Sequence, residues 1–193
     1  MTIMYIHGYG SDGNALKGRL LRELLPECEV ISPTFDYDHT SPWQVQQQLR
    51  SYVEQHQVRM FVGSSFGGYH ALCAAAFFRG PIWAVNPVRD VEATIRRIAP
   101  AGQAPATTEH FVALYSDFDR QTFRPLVKQN QTGLWPDATP LYFALSLDDA
   151  LLGDHQPLLS LFPHHAAAIW KDHCGHHFLR FDELEQPLRD ALS

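Results

Sequence analysis

Cysteine is scarce. Cys28, Cys73 and Cys174 are the only three in 193 residues, they are scattered, and none belongs to a Cys-x-x-Cys pair. That excludes a disulfide framework and a paired-cysteine zinc site, and an odd set of lone cysteines reads as free thiols in a reducing cytosol. No apolar run approaches the roughly 20 residues that span a bilayer. The opening Met1-Thr2-Ile3-Met4-Tyr5 lacks the positive stretch and long apolar segment of a signal peptide. Both absences lead us to expect a cytoplasmic protein with no membrane partner. Positive charge is also in short supply: 15 Lys and Arg against 21 Asp and Glu leave a net charge of −6, which argues against nucleic acid as a partner. There is no internal repeat, low-complexity tract or linker that would divide the chain, so residues 1–193 are read as one domain. Oligomeric state is not legible. What is present is a soluble globular composition, 45% apolar and 19% charged.

The chain is organised around Met60-Phe61-Val62-Gly63-Ser64-Ser65-Phe66-Gly67-Gly68-Tyr69. An apolar, β-leaning run feeds into Gly-x-Ser-x-Gly, and an Ala-rich helical run follows from Tyr69 to Phe78. Strand, tight turn and helix in that order are the setting of a nucleophile elbow. Ser65 would stand at its apex, with Gly63 and Gly67 required where a Cβ would strike a neighbouring element. The same glycines do not make a dinucleotide fingerprint, because Ser65 fills the middle glycine slot. Nor do they make a phosphate loop, because no Lys follows.

Strand and helix patterns alternate around this element. Ile3 to Ile6 predicts a strand, Ala15 to Leu25 a helix that Pro26 ends, and Cys28 to Ile31 a second strand. Ser41-Pro42 reads as N-cap and first residue of a helix reaching about Gln57. Val58 to Val62 predicts the third strand and Ile82 to Val85 the fourth. From Val88 to Thr139 the alternation stops. This stretch holds a helical segment over Val91 to Ile98, an Ala/Pro/Thr linker over Ala99 to Thr108, a candidate strand over Phe111 to Tyr115 and a candidate helix over Asp119 to Gln129. It carries Phe111, Tyr115, Phe118, Phe123 and Trp135, and residues 88–139 are read as a small lid, whose aromatics either give it a bulky inner face that favours short acyl groups or form the lid's own small core and say nothing about the pocket. Leu141 to Leu147 resumes as a strand, Ala150 to Leu161 predicts a helix, Ala166 to Trp170 a last strand and Asp182 to Leu192 a closing amphipathic helix. Such alternation with short connections gives a mainly parallel six-stranded sheet with helices on both faces. The expected spatial order, numbered along the chain, is second, first, third, fourth, fifth, sixth.

Sites in such sheets lie at the carboxyl ends of the strands. Those ends carry His7-Gly8-Tyr9-Gly10, Ser65, Asp148-Asp149 and the loop Asp172-His173-Cys174-Gly175-His176-His177-Phe178. Ser, acid, His is the chain order of α/β-hydrolases. His176 is the expected base for Ser65 and His177 its rival. Asp148 is the expected acid orienting His176. Asp149 is the alternative or a helix cap, and Asp117, Asp119 and Asp154 lie further out. The backbone N–H groups of Tyr9 and Phe66 are the expected oxyanion donors, and His7 is expected to hold its loop in place. Asp172, His173, Cys174, His176 and His177 could ligate zinc. Adjacent residues chelate one ion poorly and no distant ligand pair exists, so no metal and no cofactor is expected.

Tyr5-Ile6-His7-Gly8-Tyr9-Gly10-Ser11, Gly63-Ser64-Ser65-Phe66-Gly67-Gly68-Tyr69 and Asn86-Pro87-Val88-Arg89 resemble the YqiA-like family of small bacterial esterases, Asn86-Pro87 most specifically. Gly175-His176-His177-Phe178 follows the family's ending less closely. Leu147-Asp148-Asp149 stands where family members often carry Gly-Asp-Glu. The resemblance covers the chain end to end and is weakest over Val88 to Thr139. It implies a three-layer α/β-hydrolase fold, with Ser65, Asp148 and His176 as a Ser-Asp-His set acting on a small-molecule ester or thioester. Acyl transfer by the same residues and a non-catalytic binding role are the alternatives.

Overall fold

The computed structural model describes residues 1–99, 105–135, 139–164 and 167–193. Six parallel strands form its sheet: β1 (Thr2–Ile6), β2 (Glu29–Ile31), β3 (Val58–Ser64), β4 (Ile82–Val85), β5 (Leu141–Ser146) and β6 (Ala167–Lys171). Their spatial order is β2-β1-β3-β4-β5-β6, the order expected from the sequence. The chain steps outward from β1 to β2 and then reverses. Because a parallel crossover is right-handed, the reversal sends later helices to the opposite face. Helix α1 (Leu16–Leu24) therefore covers one face, joined at the end of the chain by α8 (Glu185–Leu192) behind a 3₁₀ turn at Phe181–Leu184. The other face carries α2 (Pro42–His56), α3 (Phe66–Cys73), α4 (Val91–Ile98), α5 (Pro105–Phe118), α6 (Arg124–Gln131) and α7 (Gln156–Leu161).

Local chemistry sets several boundaries. The Ser41 hydroxyl accepts from the Gln44 N–H while the Gln44 carboxamide accepts from the Ser41 N–H, a reciprocal cap at the predicted start of α2. Gln57 ends α2 in the left-handed region at φ 52°.

The segment between β4 and β5 departs from expectation. Phe111 to Tyr115 is not a strand but part of α5. The buried Phe111, Val112, Tyr115 and Phe118 recur at helical spacing, a period that a short apolar run leaves ambiguous. A π turn over Asp119–Phe123 joins α5 to α6 without a break. The five aromatics of this segment are all buried in the core, four of them from α5 and the π turn near α3 and Trp135 against Phe162, rather than lining the cavity at Ser65. Phe66 packs on Phe111 and Tyr115, and Tyr69 on Tyr115, Phe118 and Phe123. Residues 100–104 of the linker expected over Ala99 to Thr108 lie outside the described residues, as does Ala166 of the last strand, while Pro105 to Thr108 are not linker but the start of α5.

Beneath the elbow helix, His70 is fully buried between Gln46 of α2 and Tyr115 of α5, and Tyr37 stacks on its ring. Burial, with a smaller repulsion from His7, lowers its pKa from 6.5 to about 3. The folded state therefore stays unprotonated at His70 where the unfolded chain takes up a proton, so stability is expected to fall as pH drops from 6.5 toward 3. The loss should be on the order of 1 kcal/mol per pH unit from this residue. His7, shifted in the same direction by burial, adds to it. Urea midpoints across this range should fall less steeply for His70→Gln; equal slopes would refute the account.

Candidate active site

Ser65 occupies a conformation few residues adopt, φ 56° and ψ −118°, as the residue before the first turn of α3. Its neighbours show why the sequence must be Gly-x-Ser-x-Gly. A Cβ on Gly63 would lie 2.3 Å from the Gly67 carbonyl oxygen, and one on Gly67 would lie 2.1 Å from the Ile6 carbonyl oxygen. Either contact would push α3 away from β1 and β3. The backbone is pinned on the other side, where the Ser65 N–H donates to the Val85 carbonyl (2.9 Å) and the Val88 N–H to the Ser65 carbonyl (3.1 Å).

The Ser65 hydroxyl lies 2.9 Å from His176 Nε2, and His176 Nδ1 lies 3.1 and 3.0 Å from the two carboxylate oxygens of Asp149. Of the two candidate histidines, the loop thus presents His176 to Ser65; His177 is exposed. The expectation for the acid needs correction: the carboxylate on His176 belongs to Asp149, not Asp148. Strand β5 ends at Ser146, and Leu147 and Asp148 face solvent as the chain turns. The turn rolls Asp149 inward over the sheet edge, where its side chain is 0% exposed. Asp148 remains outside, and its Oδ1 accepts the N–H groups of Cys174 (3.0 Å) and Gly175 (2.9 Å). One aspartate therefore shapes the backbone of the histidine loop while the next one meets the imidazole.

Asp149 is held by more donors than His176 alone. Its Oδ1 accepts from the N–H groups of Leu151 (3.0 Å) and Leu152 (2.9 Å), and its Oδ2 accepts from His155 Nε2 at 3.0 Å. Burial alone would raise its pKa; the bonds from His155, His176 and Leu152 outweigh that and hold it ionised well below the usual carboxylate range. These turns take up the part of Ala150 to Leu161 read from sequence as helix, so α7 starts only at Gln156. His155, 1% exposed, was not anticipated, because nothing in its local pattern marks it.

Asn86 fixes the loop from the far side. Its side-chain amide donates to the Ser146 hydroxyl (2.9 Å) and to the carbonyls of Gly175 (3.1 Å) and His176 (3.0 Å), while its Oδ1 accepts the Ser146 N–H (2.8 Å). The Asn86-Pro87 element thus has a physical role, since this buried residue at the end of β4 ties β4, β5 and the His176 backbone together.

Tyr9 and Phe66 both border the cavity at Ser65, and Phe66 is the first residue of α3, where backbone N–H groups point past the helix end. Buried His7 accepts the Phe35 N–H on Nε2 (2.8 Å), which leaves its Nδ1 proton for the Gly8 carbonyl (2.8 Å). It braces the loop and does not reach Ser65. The cavity is about 890 Å3 and runs along the sheet edge, from Val88, Thr94 and Ile98 on the α4 side to Leu16, Lys17 and Leu20 on the α1 side. Among the zinc candidates, His176 is engaged with Ser65 and Asp149, and the one group of described residues whose ligand atoms converge is the exposed Asp148, Asp172 and His173. No helix of the described residues is long and apolar enough to cross a membrane.

A hydroxyl on a neutral imidazole, itself oriented by a carboxylate, can attack a carbonyl carbon as its proton passes to the ring. Residues 2–191 match the sequence model of the Uncharacterised protein family (UPF0227). Est1E from Butyrivibrio proteoclasticus superposes with a TM-score of 0.73 at 12% identity, over 99% of this chain and 88% of its own. The esterase domain of a Rhodothermus marinus protein gives 0.72 at 15% identity, over 97% and 84%. A monoacylglycerol lipase from Paleococcus ferrophilus gives 0.69 at 14% identity, over 99% and 93%. At these identities the likeness establishes the α/β-hydrolase fold.

Proposed function

This chain belongs to the UPF0227 family, the YqiA-like esterases its motifs resembled, and from that premise we propose that it is a serine hydrolase cleaving a carboxylic ester or thioester through an acyl-enzyme on Ser65. The observation that carries the reading is the continuous line from the Ser65 hydroxyl through His176 to buried Asp149, opening on a cavity.

His176 Nε2 takes the Ser65 proton as Oγ attacks the substrate carbonyl. The backbone N–H groups of Phe66 and Tyr9 hold the resulting oxyanion, an interaction whose loss typically costs about 3 kcal/mol of transition-state stabilisation. The protonated imidazole, steadied by Asp149, then gives its proton to the departing alcohol or thiol, and water repeats the sequence to release the acid. The mechanism uses no metal or cofactor.

The small size of the 88–139 segment supports a short acyl group, although its aromatics face the core and the cavity, about 890 Å3, is roomy. The purified protein is expected to be labelled at Ser65 by a fluorophosphonate. It should hydrolyse p-nitrophenyl esters of about two to six carbons, with activity falling beyond about eight because longer chains bury no further methylenes. Absence of labelling and hydrolysis would refute the esterase reading, and activity rising to dodecanoate would refute the short-chain one.

A further inference from the structure

The elbow serine has a neighbour with a separate contact. Alternate side chains of β3 point to opposite faces of the sheet, so Ser64, one residue before the elbow apex, turns toward α1. There its hydroxyl accepts a hydrogen bond from Lys17 Nζ at 2.9 Å. Gly18 brings α1 close enough for this reach: a Cβ there would lie 2.9 Å from the Gly13 carbonyl oxygen and 3.2 Å from the Tyr5 ring. Lys17 and Ser65 border the same cavity, with His176 and His177 beside them.

A lysine in this place lacks what buried cations normally have. Its ammonium has three protons to give, and Ser64 takes one. No ion pair among the described residues includes it, and burial without a compensating charge lowers its pKa to about 8. It is still cationic at neutral pH, and it is felt at His177, whose pKa is pushed down by burial and then by Lys17. Asp38 also borders the cavity, but its carboxylate accepts the Tyr9 hydroxyl. Leu20 and Phe181 line the same cavity, and an apolar wall near a charge pair strengthens it. A half-buried cation with one hydrogen bond and no ion pair among the described residues, bordering the same cavity as Ser65, can receive an anion.

Resting on the esterase reading above, we infer that the substrate is an ester or thioester bearing an anionic group, which Lys17 pairs with on the α1 side of the cavity. The anion can sit on the acyl half or on the alcohol half, and two pairs of probes separate these. Ethyl hydrogen glutarate against ethyl pentanoate tests the acyl half. The carboxylate 4-acetoxybenzoate against its methyl ester tests the alcohol half.

In at least one pair the wild-type protein should favour the anionic member in kcat/KM, and Lys17→Met should lower that anionic-to-neutral ratio by about 10- to 100-fold, the range of a charge-assisted hydrogen bond. Lys17→Arg should retain the preference. A brace that only held α1 against Ser64 would change all four esters together and leave the ratios where they were. Ratios at or below one in both pairs of the wild type would overturn the inference without any variant, so it stays testable if Lys17→Met fails to fold. A preference that survives in folded Lys17→Met would overturn it too. If none of the four esters turns over and a fluorophosphonate does not label Ser65, the esterase reading falls and this inference with it. Turnover without preference for the anion refutes this inference alone.

Discussion

Ser65→Ala is expected to lower kcat for ester hydrolysis by about 10⁴-fold or more and to abolish fluorophosphonate labelling, because no other hydroxyl can form the acyl-enzyme. The substitution removes one oxygen at a backbone geometry imposed by Gly63, Gly67 and the bonds to Val85 and Val88, so the fold should persist. Ser64→Ala is the control, since that hydroxyl sits on Lys17 and not on His176. It should keep the labelling. Labelling that survives in Ser65→Ala would show that the reactive group lies elsewhere.

The second large effect separates two adjacent aspartates. Asp149→Asn is expected to lower kcat by about 10³- to 10⁴-fold, since an amide neither fixes the His176 tautomer nor stabilises its protonated ring. Asp148→Asn should stay within about tenfold, because an amide oxygen can still accept the Cys174 and Gly175 N–H groups and keep the loop in shape. Both variants are to be compared by steady-state kinetics on the same ester, with thermal melts to establish that each is folded. In Asp149→Asn the new side-chain amide would face the His155 Nε2 proton, so a lower melting temperature is expected for that variant and not for the other. A large kinetic loss for Asp148→Asn with little for Asp149→Asn would sink the assignment.

The sequence by itself determined the parts of this protein that local sterics and chain order control. Gly63, Ser65 and Gly67 admit one kind of turn because a Cβ at either glycine would enter backbone. The alternation of strands and helices, with the fixed hand of parallel crossovers, leaves one strand order for a chain that steps outward once and then reverses. Ser41 and Pro42 start α2 through contacts within one turn. The choice of His176 follows from the same locality, in a glycine-led loop after the last strand.

The tertiary structure decided the rest. Which of two adjacent aspartates turns inward depends on where β5 stops pairing with β6 and on the N–H groups of Leu151 and Leu152 that then receive the carboxylate. Neither condition is written in the dipeptide. The run from Phe111 to Tyr115 is apolar in either secondary structure. It is helical because α5 can set Phe111, Tyr115 and Phe118 together against α3. His155 and Lys17 carry no local signal, because their partners Asp149 and Ser64 reach them only through the fold. A side chain's chemistry is fixed by its type, but its pKa and its partners are set by neighbours distant in the chain, and those exist only once the sheet has formed.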